Sequence, residues 1–257
     1  MTSAEIEYAR DCLGLDVLPV VLGGTAFSGS TAERKESMDG AAVTLAQQGL
    51  LPGGEIHPEL NTALVALTHP VQELALRRHC GGTITRVCVT QSESACIEAT
   101  FNAETATYTL RGVESDPADS ILRALGPCTA MQIAVVNAPT DELSIAFNAG
   151  PDIDTLVSAL TNAGVPPIEA GQLGNALVDC TAFTEIVGIT HALGSAHLPA
   201  GTVTVYDTAL GRLVASSSLS ADGTPWTSIS AGTSTRLTQA VNRLVENLES
   251  SSATPSR

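Results

Sequence analysis

The side chains with the means to do chemistry are five histidines, six cysteines, a single lysine and 27 carboxylates. The most suggestive grouping is LGGTAFSGS at residues 22–30, where a glycine-rich loop after an apolar run could cradle a phosphate on backbone N–H groups. No Gly-Lys-(Ser/Thr) follows it and its glycines lack dinucleotide-fingerprint spacing, so a flexible connection is the simpler reading. His191 and His197 flank a turn that could fold them together, but no third metal ligand of clear spacing accompanies them. His79 and Cys80 are chain neighbours, and adjacent strand residues point to opposite faces, which separates any Cys–His dyad. No Gly-x-Ser-x-Gly elbow occurs, and ASSSLS at 215–220 reads as a solvated strand end. Among so many acids, Glu98, Glu185 and Asp207 have nothing that singles them out for acid–base work. The sequence therefore nominates no catalytic residue, cofactor or metal site. A hydrolase or small-molecule-binding enzyme using the 22–30 loop or the His191/His197 turn stands as the alternative.

Composition narrows the class. At 257 residues with 44% hydrophobic and 15% charged residues, the chain reads as a globular protein with a substantial core, and no long unbroken apolar run offers a transmembrane span. The acidic start MTSAEIEYARDCLG is not a secretory signal, so a cytoplasmic location with reduced, scattered cysteines is expected. A formal charge of −15 repels phosphate backbones and anionic lipid, which argues against nucleic-acid and membrane partners.

The elements that would position a site come in a doubled pattern. Four strand-like runs, VQELALRRH, TITRVCVTQ, SACIEATFN and TATYTLRG, lie between residues 71 and 112. Four more, FTEIVGITH, TVTVYDTA, RLVASSSL and PWTSISAG, lie between 183 and 232, with one longer turn at ALGSAHLPAG. Setting Gly82 on Gly201 aligns residues 86–125 with 205–244 without a gap, and both segments run into a helix: DPADSILRAL, and STRLTQAVNRLVENL capped by Thr233 or Ser234. Upstream, TLAQQGLLP matches ALTNAGVPP, HPELNTALVAL matches IEAGQLGNALVDC, and LDVLPVVL is set against MQIAVVNAP. The expected fold is α+β: a pseudo-twofold duplicated unit whose two meanders, each covered by helices on one face, pair edge strands into one central antiparallel β-sheet with helical bundles. The expected halves are 1–126 and 127–250, with a flexible tail at 251–257.

The repeat also predicts a free face. At the offset of 119, Thr85, Thr107, Thr109 and Arg111 fall on Thr204, Trp226, Ser228 and Ser230, while Tyr108 and Leu110 fall on Thr227 and Ile229. The first series reads as uncommitted to burial, with Trp226 as a docking platform and Tyr206 beside it.

The order LAQQGLLP, HPELNTALVALTHP leading into four strands, IAVVNAPTDEL, and a second set of strands ending in Trp226 and a C-terminal helix resembles the EspG family. These are cytosolic chaperones of type VII (ESX) secretion that bind PE/PPE substrates. The resemblance implies a quasi-twofold sheet with helical bundles that grips the apolar tip of a helical PPE partner through the sheet and the C-terminal helical part. It places partner contacts in the region of Thr204, Tyr206, Val214, Ser216, Trp226, Ser228 and Ser230. Family members often carry a long connection between the first two strands, where this chain has only HCGG. The partner expected is a PE/PPE-like helical secretion substrate, with self-association into a homodimer through exposed strands as a further reading.

Overall fold

The computed structural model describes residues 1–23, 29–192 and 195–252, with the side chains of residues 192, 195–200 and 251–252 outside the description. The first half runs α1 (Ser3–Leu13), α2 (Thr31–Gln47), α3 (Pro58–Thr68), β1 (Gln72–Cys80), β2 (Thr83–Gln91), β3 (Cys96–Asn102), β4 (Thr107–Gly112) and α4 (Pro117–Leu125). The second runs β5 (Val136–Pro139), α5 (Thr140–Phe147), α6 (Ile153–Asn162), α7 (Pro167–Val178), β6 (Cys180–Ala192), β7 (Ser195–Thr208), β8 (Gly211–Leu219), β9 (Pro225–Ala231) and α8 (Ser234–Ser252).

Helix starts carry the signals the sequence advertises. Thr2 and Ser30 form capping boxes with Glu5 and Glu33, Asp116 caps α4, and Thr233 accepts the Arg236 N–H at the start of α8. Among the described residues the nine strands form one sheet in the order β4-β3-β2-β1-β6-β7-β8-β9-β5. The two meanders meet where β1 pairs antiparallel with β6, from Gln72 opposite Thr190 to Cys80 opposite Ala182. Pairing these strands removes two open edges, as the doubled sequence pattern predicts.

Alternation along the strands feeds three cores. On one face, here the bundle face, α1–α3 pack on Ala75, Cys88, Ile97, Ala99 and Tyr108 of the first meander. On the same face α5–α7 pack on Leu213, Ala215 and Ile229 of the second. Close seating of α6 on α7 depends on Gly174, where an added Cβ would lie 2.5 Å from Val157 Cγ2. The opposite face, here the α8 face, is covered by α4 and α8, which bury Leu74, Leu76, Val87, Val89, Ile186, Val203, Val205 and Val214. Helices thus cover both faces of the sheet, where the sequence suggests one; α4 and α8 each cross back over the meander that precedes them.

Other differences concern connections. The ALGSAHLPAG turn is shorter than its sequence suggests, because β6 runs to Ala192 and β7 begins at Ser195. The partner of LDVLPVVL in the second half is not MQIAVVNAP. β5 pairs with β9 and leads straight into α5, and its topological counterpart is Met1–Thr2, which pairs with β4 at Tyr108 and Thr107 and leads straight into α1. LDVLPVVL instead follows α1 and forms a 3-10 turn at Val20–Leu22.

Candidate functional site

An apolar concavity lies where the halves join. Alternation turns Leu74, Leu76 and Ile186 toward α8 and leaves Glu73, Ala75 and Arg77 of β1 on the bundle face, directly opposite Ile189, Val187 and Glu185 of β6. Because α1–α3 cover the first meander and α5–α7 the outer strands of the second, this seam is the floor of a valley. The valley is a groove of about 630 Å³ rimmed by residues 16–21 after α1 and by Leu67, Thr68 and Pro70 at the end of α3. Its rim gives up apolar surface: Val17 is 75% and Val20 87% exposed. Two exposed valines on the rim of one groove suit a protein partner better than water.

A small polar centre is set into the floor. Glu73 is 4% exposed, and its Oε2 lies 2.9 Å from His191 Nε2. On the adjoining strand Cys88 is fully buried, and burial, then the Glu73 carboxylate, push its thiol well above its ordinary range. A thiol held protonated and out of reach of solvent is no nucleophile, so the Glu73–His191 pair has no reactive partner there. Arg77 stands opposite Glu185 in the register and forms no ion pair among the described residues.

The residues singled out from sequence do not share one face. Val214, Ser216, Ser228, Ser230 and Trp226 lie on the α8 face, linked by the register Val214–Ser230, Ser216–Ser228 and Ser218–Trp226. Thr204 and Tyr206 pair with Ala215 and Leu213 and point to the bundle face. Tyr206 therefore does not stand beside Trp226; it packs against Phe147 and Phe183, and burial raises its phenol to about 12. The gapless offset fails between the second and fourth strands of each half. The connections are 92–95 and 103–106 in one and 209–210 and 220–224 in the other, so β4 and β9 keep their faces while Thr85 and Thr204 exchange theirs. Nor is the α8 face free, since α4 and α8 cover its centre; its ends stay open, with Thr109 and Arg111 exposed on β4 and Trp226 37% exposed on β9. Thr204, opposite Glu185, borders the valley.

Of the enzyme alternatives, the 22–30 loop falls largely on residues 24–28 and the side chain of His197 on residues 195–200, both outside the described residues. His191 is described and is held by Glu73. Among the described residues no group of three or more His, Cys, Asp or Glu is placed to hold a metal ion, and no helix is long and apolar enough to cross a membrane.

The sequence profile of the EspG family matches residues 2–243. The chain belongs to the EspG family. Its fold is shared by a solved structure, the Mycobacterium tuberculosis type VII secretion system chaperone EspG5 in complex with the PE25-PPE41 dimer. That protein is 14% identical, with 96% of this chain and 95% of EspG5 superposed at a TM-score of 0.77. No curated protein sequence matches. Sequence reasoning on this EspG-family chain missed Val17, Val20, Arg77 and Ile189. The signal available was LDVLPVVL, which carries Val17 and Val20 in an apolar run with no strand or helix periodicity to bury it.

Proposed function

We propose that this EspG-family protein is a non-catalytic cytoplasmic chaperone of type VII secretion, which covers the apolar tip of a PPE-type helical protein and keeps the PE/PPE pair soluble for export. The observation that carries this reading is the match to EspG5, a chaperone solved with a PE–PPE dimer, over nearly the whole of both chains. Supporting it, the valley exposes Val17 and Val20 on its rim and is lined by Ala75, Val187 and Ile189 on its floor, apolar surface that a helical tip would cover. The docking surface proposed is this valley with Thr204 at its border. A contact there of ordinary size, about 1,600 Å² in total, suffices for a stable but releasable complex. The halves 1–126 and 127–250 are read as two copies of one plan, supported by their common order of elements and by Met1–Thr2 taking beside β4 the place of β5 beside β9.

Co-expression with a PE/PPE pair tests the function. The expected product is a complex of all three chains that survives size exclusion. Val20→Asp places a charge on the apolar rim and should weaken the complex by roughly 30-fold, the scale of a central interface residue, with circular dichroism unchanged. Full binding by a folded Val17→Asp/Val20→Asp protein would move the cargo off the valley, and failure of the wild type to retain any PE/PPE pair would defeat the chaperone reading. Light scattering of the free protein distinguishes a monomer from a homodimer that would compete with cargo.

A further inference from the structure

On the face opposite the valley, the open end of the sheet and helix α8 enclose a second groove, of about 560 Å³. Its floor carries the hydroxyls of Ser216, Ser228 and Ser230, and its wall is the α8 surface bearing Arg236, Arg243 and Glu246. Ser228 is hydrogen-bonded to the Asn137 side chain, whereas the Ser216 and Ser230 hydroxyls make no hydrogen bond to the described protein.

The charges here run against those of the molecule. The protein carries −15 overall, and half of its twelve lysines and arginines, Arg34, Lys35, Arg78, Arg111, Arg123 and Arg212, are ion-paired to carboxylates. The guanidinium groups of Arg236 and Arg243 have neither an ion pair nor a hydrogen bond among the described residues. Glu246 is the sole acid lining the groove, against the two free arginines. An acidic protein that leaves two arginines unpaired beside two free hydroxyls has an anion-accepting cleft.

Spacing selects the kind of anion. Arg236 and Arg243 are two helical turns apart, about 10 Å along the axis, too far for one phosphate to bridge. On a segment in the extended polyproline II conformation, carboxylates three residues apart lie on one face about 9 Å apart, which matches the two arginines. A long polyanion such as nucleic acid would run beyond the groove onto repelling surface, whereas a short segment stays within it. We propose that this groove docks an acidic, extended segment of a protein partner. The arginines take its side-chain carboxylates in charge-assisted bonds, and the free serine hydroxyls donate to its main-chain carbonyls.

The test is fluorescence anisotropy of the full chain with a fluorescein-labelled peptide bearing glutamate at every third position, and with its glutamine counterpart, at low and high salt. The glutamate peptide should bind, weaken with salt, and lose about tenfold in affinity to Arg236→Gln/Arg243→Gln. The control Arg34→Gln/Lys35→Gln changes net charge equally on α2 and should bind as wild type. Absence of binding, equal binding of both peptides, an equal loss in the control, or displacement by inorganic phosphate at matched ionic strength would each overturn the proposal. Arg236→Gln/Arg243→Gln should still retain the PE/PPE pair, because the valley lies on the other face; a failure of the valley reading is thus separable from a failure of this one.

Discussion

Asp207 shows how a single residue ties the halves together. Its carboxylate takes two bonds from Arg212, one of them 2.9 Å from Nη2, and one of 3.1 Å from Arg78 of β1. Arg212 in turn donates to the carbonyls of Leu125 and Gly126 at the end of α4, where the first half hands over to the second. Burial opposes the Asp207 charge, but bonds from Arg212 and Arg78 outweigh it and hold the carboxyl below its usual range. A carboxyl depressed on folding contributes stability that is full above the unfolded value of about 3.9 and is lost as pH falls through the lower folded value. Asp207→Asn strands the buried Arg212 guanidinium and should cost roughly 3 kcal/mol in urea unfolding at neutral pH, with the gap to wild type narrowing under acid. A gap independent of pH would mean the carboxylate charge is not what Arg212 needs. None of this is legible in sequence, where Asp207 is one acid among 27; its role comes from β1, β7, β8 and the end of α4 meeting at one point.

At the scale of elements, the helix that closes the α8 face is the most exacting. Leu237, Val241, Leu244 and Leu248 are all buried, and the sheet makes room for them at Gly188, where a Cβ would sit 3.3 Å from Leu248 Cγ. Leu244→Ala should cost roughly 3 kcal/mol, read as a lower urea midpoint with unchanged slope, because the cavity lies between a rigid sheet and a helix that cannot collapse onto it. A loss below 1 kcal/mol would mean α8 re-seats. That helix, its cap and all eight meander strands are readable from periodicity and turn residues, since each buries one regular stripe. β5 is not, being four residues ending in proline with no room for alternation to declare itself. The faces of Thr204 and Tyr206 are misread for a different reason. Face follows the parity of residue counts, and connections of different length between second and fourth strands invert it without changing the strand pattern. The valley is also hidden, because Glu73, Arg77, Ile189 and His191 converge only when β1 pairs with β6 across more than a hundred residues.

The whole molecule rests on that seam. β1 and β6 are the inner edges of two meanders with the same order of strands, and their pairing centres near Leu76 opposite Ile186. If the halves are copies of one plan, β1 should accept a second β1 where it now accepts β6. In an antiparallel pair centred on Leu76, Arg77 would face Ala75 and Glu73 would face His79, so no like charges are opposed. Residues 1–126 carry their own bundle and α4, but alone they leave the β1 edge unpaired, a template for association. The expected outcome is that this half, expressed alone, sediments as a symmetric dimer that rebuilds a continuous sheet, with circular dichroism close to that of the full chain. A folded monomer would show that β1 needs no partner, and an unfolded chain would show that the halves depend on one another for more than an edge. The dimer would explain the present molecule as that assembly fused into one chain, whose two halves are then free to differ: one keeps the short HCGG turn, the other extends β6 and β7 and carries the arginine-lined groove.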